Sequence, residues 1–311
     1  MNKPRIVVMG NVVADVVARP VDELPRVGSL HPESVAFHPG GCAGNAATIL
    51  ARLGVDTHLV GCVGQDAFGR ALLEAWQQRG INTSLVRQIP DVPTAVTIVL
   101  VDSQGERRFI STPGANHHLT PSMLPSEALE GAFALHIGGF FAAPGLEDGT
   151  LATRLAEAQR RGVLTSLDTV GGSARERRET LYPLLPHLDL LLLNEDEGEK
   201  VTGETNPDAM LDFLLSRGAR TVILKQGDEG CHVVGERGPL TLRAFPATCV
   251  DSTGAGDAFA AALLATLARG NRFSDALRWA SAAGAANVEA LGATGAWQGW
   301  QDLERIMDRD A

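Results

Sequence analysis

The stretch Asp251–Asp257, with the sequence Asp-Ser-Thr-Gly-Ala-Gly-Asp, runs directly into the uncharged segment Ala258–Ala268. An uncharged segment of this length predicts a helix that is apolar on every side and therefore lies in the protein interior. The N-terminus of such a helix presents unpaired N–H groups and the positive end of the helix dipole, which favour a phosphate or a developing anion. The glycines of the stretch let the backbone turn and approach a ligand closely. The sequence therefore predicts an anion site here, with the Asp257 carboxylate beside it.

Asp257 has two interpretations, because Asp is also a preferred residue at helix starts and could simply cap the helix. A carboxylate that opens a buried apolar helix costs free energy unless it is paired or used. Buried acids with perturbed pKa values are enriched at functional sites. Burial therefore favours the functional interpretation, and Asp257 is the first candidate for a catalytic residue.

The whole chain narrows the class of ligand. Its 311 residues are 44% hydrophobic, enough for the core of one large domain with or without a small one. A net charge of −10 without a basic patch argues against nucleic acid and anionic membranes, so we expect a small-molecule ligand. No signal-peptide pattern or membrane-length apolar run is seen, so a cytoplasmic protein is expected. The four cysteines lack C-x-x-C spacing and are expected to be small buried residues: Cys42, Cys62, Cys231 and Cys249.

Short apolar runs alternate with helical segments along most of the chain, which predicts a mostly parallel sheet covered by helices on both faces. The predicted strands are Arg5–Gly10, Thr57–Gly64, Phe133–Ile137, Val163–Asp168, Leu188–Leu193 and Thr221–Leu224. The predicted helices besides Ala258–Ala268 are Ala46–Leu53, Ala67–Arg79, Gly149–Arg161 and Ser274–Glu289, the last of them closed by Gly292.

A β-rich hairpin interrupts this rhythm. Thr94–Val101 and Arg107–Ser111 are joined by the turn sequence Asp102–Gly105. Together with Ser34–His38, the hairpin predicts a small sheet that projects from the main domain. Such a sheet could act as a lid that excludes water, or present an edge to a second subunit.

Polar residues near strand ends are further candidates, because ligands of open α/β sheets bind outside the carboxyl ends of the strands. Asp15 is placed just beyond the first strand and could accept hydrogen bonds from substrate hydroxyls, although it could equally satisfy turn amides. Gly40 and Gly41 precede a helix and allow close backbone approach, or form a plain tight turn. Asn45 follows them and could read a sugar hydroxyl.

Two later segments carry similar alternatives. Asn194 and Glu197 follow a buried strand and could direct a hydrated Mg²⁺, or could be ordinary helix-start residues. Lys225 ends a strand and could face phosphates, while the glycines at Gly227 and Gly230 could mark a plain hairpin turn. His117-His118 lacks a third ligand at metal spacing and is expected in a surface loop.

Gly40-Gly41-x-x-x-Asn45 lies near the start of the chain, and Asp251-x-Thr253-Gly254-Ala255-Gly256-Asp257 lies near its end. This pair, in this order, resembles the ribokinase-like (PfkB) family of carbohydrate kinases. Asn194-x-x-Glu197 and Gly227-x-x-Gly230 fall in the matching places between them. The chain lacks the G-x-x-x-x-G-K-[ST] and G-x-G-x-x-G loops of other nucleotide-binding proteins. The likeness spans nearly the whole chain, and its C-terminal motif is highly specific.

The resemblance implies a three-layer α/β/α domain over residues 1–311, with a central mostly parallel sheet and a small β-sheet lid. The lid segments would be about 12–38 and 93–112, and they would offer a surface for a homodimer. It also implies transfer of the γ-phosphoryl group of MgATP to a primary hydroxyl of a small sugar. Asp257 would be the general base, and the N–H groups of Gly254, Ala255 and Gly256 would hold the phosphoryl charge.

Other residues take their roles by the same matching, residue by residue. The sugar would contact Asp15, Gly40, Gly41 and Asn45. The nucleotide would contact Asn194, Lys225, Gly227, Gly230 and, near the base, Ser281. Mg²⁺ would be held by Glu197, with Asn194, through water. A monovalent cation such as K⁺ could be caged by oxygens around Asp251, Thr253, Asn287, Ala290 and Gly292.

Two departures from the family pattern keep the acceptor open. Ribokinases carry a sugar-contacting Glu at the end of the mid-chain strand, where this chain has Gly138-Gly139, which weakens a ribose assignment. Lys225 replaces the small hydroxyl residue that is usual at this position in ribokinase, which changes the side-chain contact offered to the nucleotide phosphates. Pro113–Asn116 does look ribokinase-like.

Two alternatives to a sugar kinase therefore remain. A nucleoside kinase of the same family would need apolar or aromatic walls for a base, from regions such as Phe37, Phe109 and Phe140. A catalytically silent sugar-binding module on the same fold is the other alternative, because fold does not determine function. The intact Asp257 and its glycines argue against the silent module.

Overall fold

Thirteen strands form two separate sheets in a computed structural model that describes residues 3–172, 174–295 and 297–310. In chain order the strands are β1 Arg5–Gly10, β2 Val13–Arg19, β3 Ser34–Gly40, β4 Asp56–Gly64, β5 Asn82–Ile89, β6 Val96–Val101, β7 Arg107–Thr112, β8 Ala132–Gly138, β9 Leu164–Asp168, β10 Leu190–Asn194, β11 Thr221–Lys225, β12 Cys231–Gly235 and β13 Leu240–Leu242. The helices are α1 Cys42–Arg52, α2 Ala67–Gln78, α3 Leu151–Arg160, α4 Ala174–Arg177, α5 Glu195–Thr202, α6 Pro207–Ser216, α7 Ala255–Ala268, α8 Phe273–Val288 and α9 Trp300–Met307.

The large sheet has the order β13-β12-β11-β10-β9-β8-β1-β4-β5. The seven strands from β11 across the sheet to β5 pair in parallel. Strands β12 and β13 form antiparallel pairs and lie together at one edge. The predicted mostly parallel sheet is therefore confirmed. Because parallel strands all end at one edge, the residues that follow β9, β10 and β11 are brought together there.

Alternate residues of β1 belong to two different cores, which shows the three layers. Ile6 and Val8 pack in a core with residues of α1, α2, α7, α8 and α9, whereas Val7 and Met9 pack with residues of α3, α5 and α6. All four side chains are fully buried. A strand buried on both faces requires the continuous apolar run that the sequence has here.

The small sheet has the order β3-β2-β6-β7 and confirms the predicted second sheet. The turn of the β6–β7 hairpin is closed by a hydrogen bond from the Gly105 N–H to the Asp102 carbonyl at 3.1 Å. Asp15 belongs to this sheet, within β2, so its predicted place just beyond the first strand of the main domain needs correction. Strands β2, β5 and β13 were not predicted, because none of them is a continuous buried apolar run.

Other boundaries differ for local reasons. Helix α1 begins at Cys42 rather than Ala46, directly after Gly41, whose φ of 80° turns the chain into the helix. Helix α8 ends at Val288, so Gly292 lies beyond the helix rather than closing it. His117 and His118 are exposed, as expected, but Cys249 is exposed and Cys42 is half-buried, whereas both were predicted to be buried. Within the described segments, no helix combines the length and apolar character that crossing a membrane requires.

Candidate active site

Asp257 lies in the first turn of α7. The helix begins where Gly254 turns the chain with a φ of 75°, and a Cβ at Gly254 would overlap the Ala293 carbonyl. Helix α7 has no side-chain cap, so the alternative interpretation of Asp257 as a helix cap is wrong. The helix is buried from Asp257 to Thr266, as its uncharged sequence predicts. The N–H groups of its first turn and the Asp257 carboxylate therefore lie close together at the partly buried N-terminus of α7.

Asn45 binds Asp257 across the contact between α1 and α7. Nδ2 of Asn45 donates to Oδ2 of Asp257 at 2.8 Å, and both side chains are buried. Burial and then the nearby Asp168 carboxylate raise the pKa of Asp257 to about 7, although Asn45 and Lys225 oppose this shift. A carboxyl group with a pKa near neutrality can both take up and release a proton at working pH.

Lys225 at the end of β11 forms a largely buried ion pair with Asp168 at the end of β9. The distance from Nζ of Lys225 to Oδ1 of Asp168 is 2.7 Å. A Cβ on Gly256 would lie 2.9 Å from the same Nζ, so the ammonium group sits against the first turn of α7. Burial alone would lower the pKa of Lys225, but the surrounding carboxylates hold that pKa above its ordinary value. A charged lysine and a helix N-terminus together suit a phosphate group.

Asn194 and Glu197 form a capping box at the N-terminus of α5. Oδ1 of Asn194 accepts from the Glu197 N–H at 2.8 Å, and Oε2 of Glu197 accepts from the Asn194 N–H at 2.9 Å. The same Oε2 also accepts from Oγ1 of Thr169 at 3.0 Å. Their interpretation as helix-start residues is thus confirmed. The role of the pair at Mg²⁺ stays a prediction.

The charge around Glu197 suits a hydrated cation. Burial raises the pKa of Glu197 although Lys225 opposes it, and Asp168 adds to the rise. Three largely buried acids, Asp168, Glu197 and Asp257, thus share one lysine, and a cation nearby would relieve their repulsion. In the described part of the chain, no three His, Cys, Asp or Glu side chains lie close enough to hold a metal ion directly. Mg²⁺ held through its waters is the form that these residues fit.

The two glycines after β11 differ in surroundings. Gly227 has a φ of 59° and open space where a Cβ would stand, so its backbone is free to face a nucleotide. Gly230 has a φ of 107°, and a Cβ there would overlap the Leu242 carbonyl of β13, so hairpin packing explains this glycine. Ser281 is 8% exposed within α8. Its contact with a nucleotide base stays a prediction.

The N-terminal motif is tightly packed against β2. A Cβ on Gly40 would overlap Oδ2 of Asp15, and a Cβ on Gly41 would lie 2.6 Å from the Asn11 carbonyl. At Gly41, with a φ of 80°, only glycine fits, and at Gly40 a larger residue would displace the Asp15 carboxylate. This packing is that of a tight turn, and the contact of both glycines with a sugar stays a prediction. Burial raises the pKa of Asp15 to about 7.

Gly138 and Gly139 pack against the start of α1, which follows the Gly40-Gly41 pair. Gly139 has a φ of 69°, and a Cβ there would overlap Oδ1 of Asn11 and lie 2.8 Å from Sγ of Cys42. A glutamate side chain has no room at position 139. The carboxylate that the family resemblance would lead us to expect at this place is therefore absent.

A cavity of about 410 Å³ lies between the small sheet and the loops that contain Asp251 and Gly292. Alternate residues of the sheet face it, among them Asp15, His38 and Phe109. Phe37 lies on the opposite face of β3, and Phe140 is fully buried in the core. Of the three aromatic walls predicted for a base, only Phe109 is in place.

The residues assigned to a monovalent cation come together where the segment before α7 meets the loop after α8. Oδ1 of Asp251 accepts from the Thr253 N–H at 2.8 Å, and Oδ2 accepts from the Gly292 N–H at 2.6 Å. Nδ2 of Asn287 donates to the Thr253 carbonyl at 2.9 Å. Ala290 lies in the turn that connects them.

Comparison with known proteins identifies the family. The model of the pfkB family of carbohydrate kinases matches residues 3–298. The chain belongs to the PfkB family. As a member of that family, it is a sugar kinase, a phosphotransferase with an alcohol group as acceptor, and ribokinase-like kinases use ATP.

Relatives of this PfkB kinase differ in the acceptors that their names state. It is 30% identical to aminoimidazole riboside kinase of Salmonella typhimurium, over 82% of this chain and 83% of that one. It is 31% identical to ATP-dependent ribose-1-phosphate kinase of Halopiger xanaduensis, over 94% of each. Among solved structures it resembles Arabidopsis thaliana ribokinase complexed with ribose and ATP, at 26% identity and a TM-score of 0.82, over 98% and 99% of the two chains.

Several residues of this PfkB kinase site were not predicted. Asp168 was recognised only as the end of a strand, although a carboxylate at the carboxyl end of a parallel strand was the available signal. Asn11 lies one residue after β1, and its Oδ1 accepts from the Cys42 N–H at 3.1 Å. Arg107 contacts both Asp251 and Thr253 from β7, and a contact so distant in sequence has no local signal.

Proposed function

We propose that this chain transfers the γ-phosphoryl group of MgATP to a primary hydroxyl of a small sugar. The observation that carries the proposal is the buried Asp257, whose carboxylate lies in the first turn of α7 with a pKa raised to about 7. A group of this kind can take the hydroxyl proton as the oxygen attacks phosphorus. Its bond to Asn45 keeps the carboxylate oriented toward α1.

The charge that develops on the transferring phosphoryl group would be held by the turn before Asp257. The N–H groups of Gly254, Ala255 and Gly256 stand at the positive end of α7, and fixed donors of this kind stabilise charge without reorganising. The Ala255 N–H also makes a long bond of 3.3 Å to the Ser252 carbonyl. Lys225, held by Asp168 against Gly256, would add a full positive charge.

The acceptor would lie beside Asp15, Gly40, Gly41 and Asn45, with the small sheet as its lid over residues 12–38 and 93–112. In support, Asp15 lines the cavity from the small sheet, and Gly40 packs against its carboxylate. The nucleotide would lie near Lys225, Gly227, Gly230 and Ser281. Mg²⁺, directed through water by Asn194 and Glu197, would neutralise the phosphate oxygens when bound.

A panel assay tests this function. ADP release would be measured with ribose, fructose, other small sugars, sugar phosphates and nucleosides, and the products would be checked by mass spectrometry. We expect at least one small sugar to gain a phosphate on a primary hydroxyl. ATP binding without phosphorylation of any acceptor would instead favour the silent sugar-binding module.

A nucleoside kinase is the second candidate, because Phe109 lines the cavity and could stack on a base. The absence of Phe37 and Phe140 from that wall favours a small sugar. The panel decides between the two, since a nucleoside kinase would show its highest kcat/KM with a nucleoside and lose it in Phe109→Ala.

The outer face of the small sheet would join two copies of the chain. Phe37, Val16, Ile98 and Ile110 lie directly opposite one another across the four strands. Phe37 is 36%, Ile98 38% and Ile110 56% exposed. A row of exposed apolar residues across a sheet favours a second sheet packed on it.

Sedimentation velocity tests the dimer. We expect the wild type to be a dimer and Ile98→Asp to be a monomer, because a buried unpaired charge opposes association. Phe68→Asp on α2 is the control, since Phe68 is 39% exposed outside the small sheet. A monomeric wild type would contradict the proposal.

A further inference from the structure

We infer that Arg107 is a positioning residue whose guanidinium group replaces a monovalent cation at the loop before the anion site. The inference rests on the proposed phosphoryl transfer. It assigns to the small sheet a charge that the family resemblance places on K⁺. The lid would then complete the anion site as well as cover the acceptor.

Arg107 reaches across the cavity from β7. Its Nη1 contacts Oδ1 of Asp251 and Oγ1 of Thr253. The side chain of Arg107 is 15% exposed and that of Asp251 is 3% exposed, so this ion pair is shielded from water. Shielded charge pairs are screened much less by salt than exposed ones.

Three oxygens that would coordinate a cation, the two of Asp251 and the Thr253 carbonyl, already face protein donors, whereas Oδ1 of Asn287 is buried without a partner among the described residues. Both carboxylate oxygens of Asp251 accept hydrogen bonds from backbone N–H groups, one of them while also paired with Arg107. The Thr253 carbonyl accepts from Nδ2 of Asn287 at 2.9 Å, and the Ala293 carbonyl accepts from the same nitrogen at 3.4 Å. An N–H₂ group directed at two carbonyls already satisfies them as acceptors, so they need no cation. At Asp251 and Thr253 the arrangement therefore does not fit bound K⁺.

The position of Arg107 links the small sheet to the anion site. Thr253 immediately precedes Gly254, the residue whose left-handed backbone opens α7. Gly254 also packs directly on Ala293, one residue after the Gly292 that Asp251 binds. Withdrawing the guanidinium group would leave the buried Asp251 with backbone N–H donors but without its positively charged partner, and would loosen the turn that aims the N–H groups at phosphate.

The experiment compares salts and variants at equal ionic strength. Wild type, Arg107→Ala, Arg107→Lys and Arg108→Ala would be assayed with KCl, NaCl or choline chloride, and melting temperatures would be measured in the same buffers. Arg108→Ala is the matched control, because Arg108 lies next to Arg107 on the other face of β7. Its side chain donates to the carbonyls of Val21 and Asp22.

The wild type should have the same kcat and melting temperature in all three salts. Arg107→Ala should lose kcat on the order of tenfold or more, the range of a typical coupling between sites, with a smaller change in the KM for ATP. Low guanidinium chloride should restore part of that loss, K⁺ should not, and Arg107→Lys should retain more kcat than Arg107→Ala. Arg108→Ala should keep the wild-type kcat.

Three results would overturn the inference. They are activation of the wild type by K⁺, a K⁺-specific rise in its melting temperature, and a wild-type kcat in Arg107→Ala. Failure of the proposed function is distinguishable from these, because it would leave the wild type without any phosphorylated product. The melting temperatures would still test the inference in that case.

Discussion

Asp251 and Asp257 stand in one short motif, yet the fold gives them opposite environments. Burial would raise the pKa of Asp251, but hydrogen bonds from Arg107, Gly292 and Thr253 outweigh it and lower that pKa. Asp257 is buried with an amide as its hydrogen-bond partner, and its pKa rises to about 7. A buried carboxylate whose charge is balanced by a cation and several N–H donors stabilises the fold. One with fewer such partners has a raised pKa and is available for proton transfer.

The difference comes from which elements reach each carboxylate. A strand of the small sheet brings Arg107 to Asp251, whereas Lys225 of the large sheet is held by Asp168 and does not pair with Asp257 directly. Asp168 thus keeps the ammonium group near the phosphate site without neutralising the proposed base. Removing either cation should affect the two acids differently.

The largest effect is expected from Lys225. Lys225→Met should lower kcat on the order of 10²- to 10³-fold, as for removal of one fixed donor to transition-state charge. The double variant Lys225→Met with Asp168→Asn should show a similar loss, and it avoids leaving Asp168 as an unpaired buried charge. Steady-state kinetics measures both. Lys200→Met is the control, because Lys200 pairs with Asp196 on the exposed side of α5. A double variant with wild-type kcat would remove Lys225 from the reaction.

The next largest effect is expected in the pH dependence of kcat, which tests whether Asp257 or Asp15 is the base. With a pKa of about 7, Asp257 is increasingly protonated below neutral pH, and kcat should fall about tenfold per pH unit there. Asp15 has a similar pKa and lines the cavity, so the acidic limb of kcat should be compared in Asp15→Asn. The limb should persist in that variant. A flat kcat profile from pH 5 to 8 would contradict the assignment of the base.

Stability should show the same contrast with opposite signs. The folded pKa of Asp257 lies above its unfolded value of 3.8, so its ionisation lowers stability as pH rises from about 4 to about 7. Asp251 has a lowered folded pKa, so its ionised form contributes stability above its unfolded pKa and loses it in acid. At pH 8, Asp257→Asn should raise the free energy of unfolding by about 1–3 kcal/mol, and Asp251→Asn should lower it by about 1–3 kcal/mol.

Urea unfolding at pH 8 measures both changes. Equal signs for the two variants would show that the environments do not differ as described. The change at position 257 removes the charge without removing the contact, because the Asn amide oxygen can still accept the hydrogen bond from Asn45.

Local patterns predicted most of the large sheet and several of the residues that lie together at the candidate site. The continuous apolar runs gave β1, β4 and β8 to β11, because strands buried on both faces require them. The uncharged run after Asp257 predicted α7, because a helix that is buried on all sides requires apolar residues throughout. Asn45, Lys225 and Asp257 were recognised because each stands next to a strand end, a glycine motif or a helix start.

What local patterns could not show were pairings between distant segments. Strand β2 was missed because only Ala14 is buried along it, and Asp15 was consequently placed outside the sheet. Asp168 and Arg107 become site residues only when β9 meets β11 and the small sheet meets the Asp251 loop. Phe37 and Phe140 failed as walls of the cavity because face and depth depend on the register of the sheets.

Activity of Asp257→Asn tests the central claim most directly. The account predicts that kcat falls on the order of 10²-fold or more, because general-base catalysis contributes on that scale. Calorimetry should show that the acceptor binds with an almost unchanged Kd, since Asn keeps the size of the side chain and one oxygen that can accept from Asn45. A variant with a kcat near that of the wild type would contradict the account, and phosphate transfer would then depend on a different base.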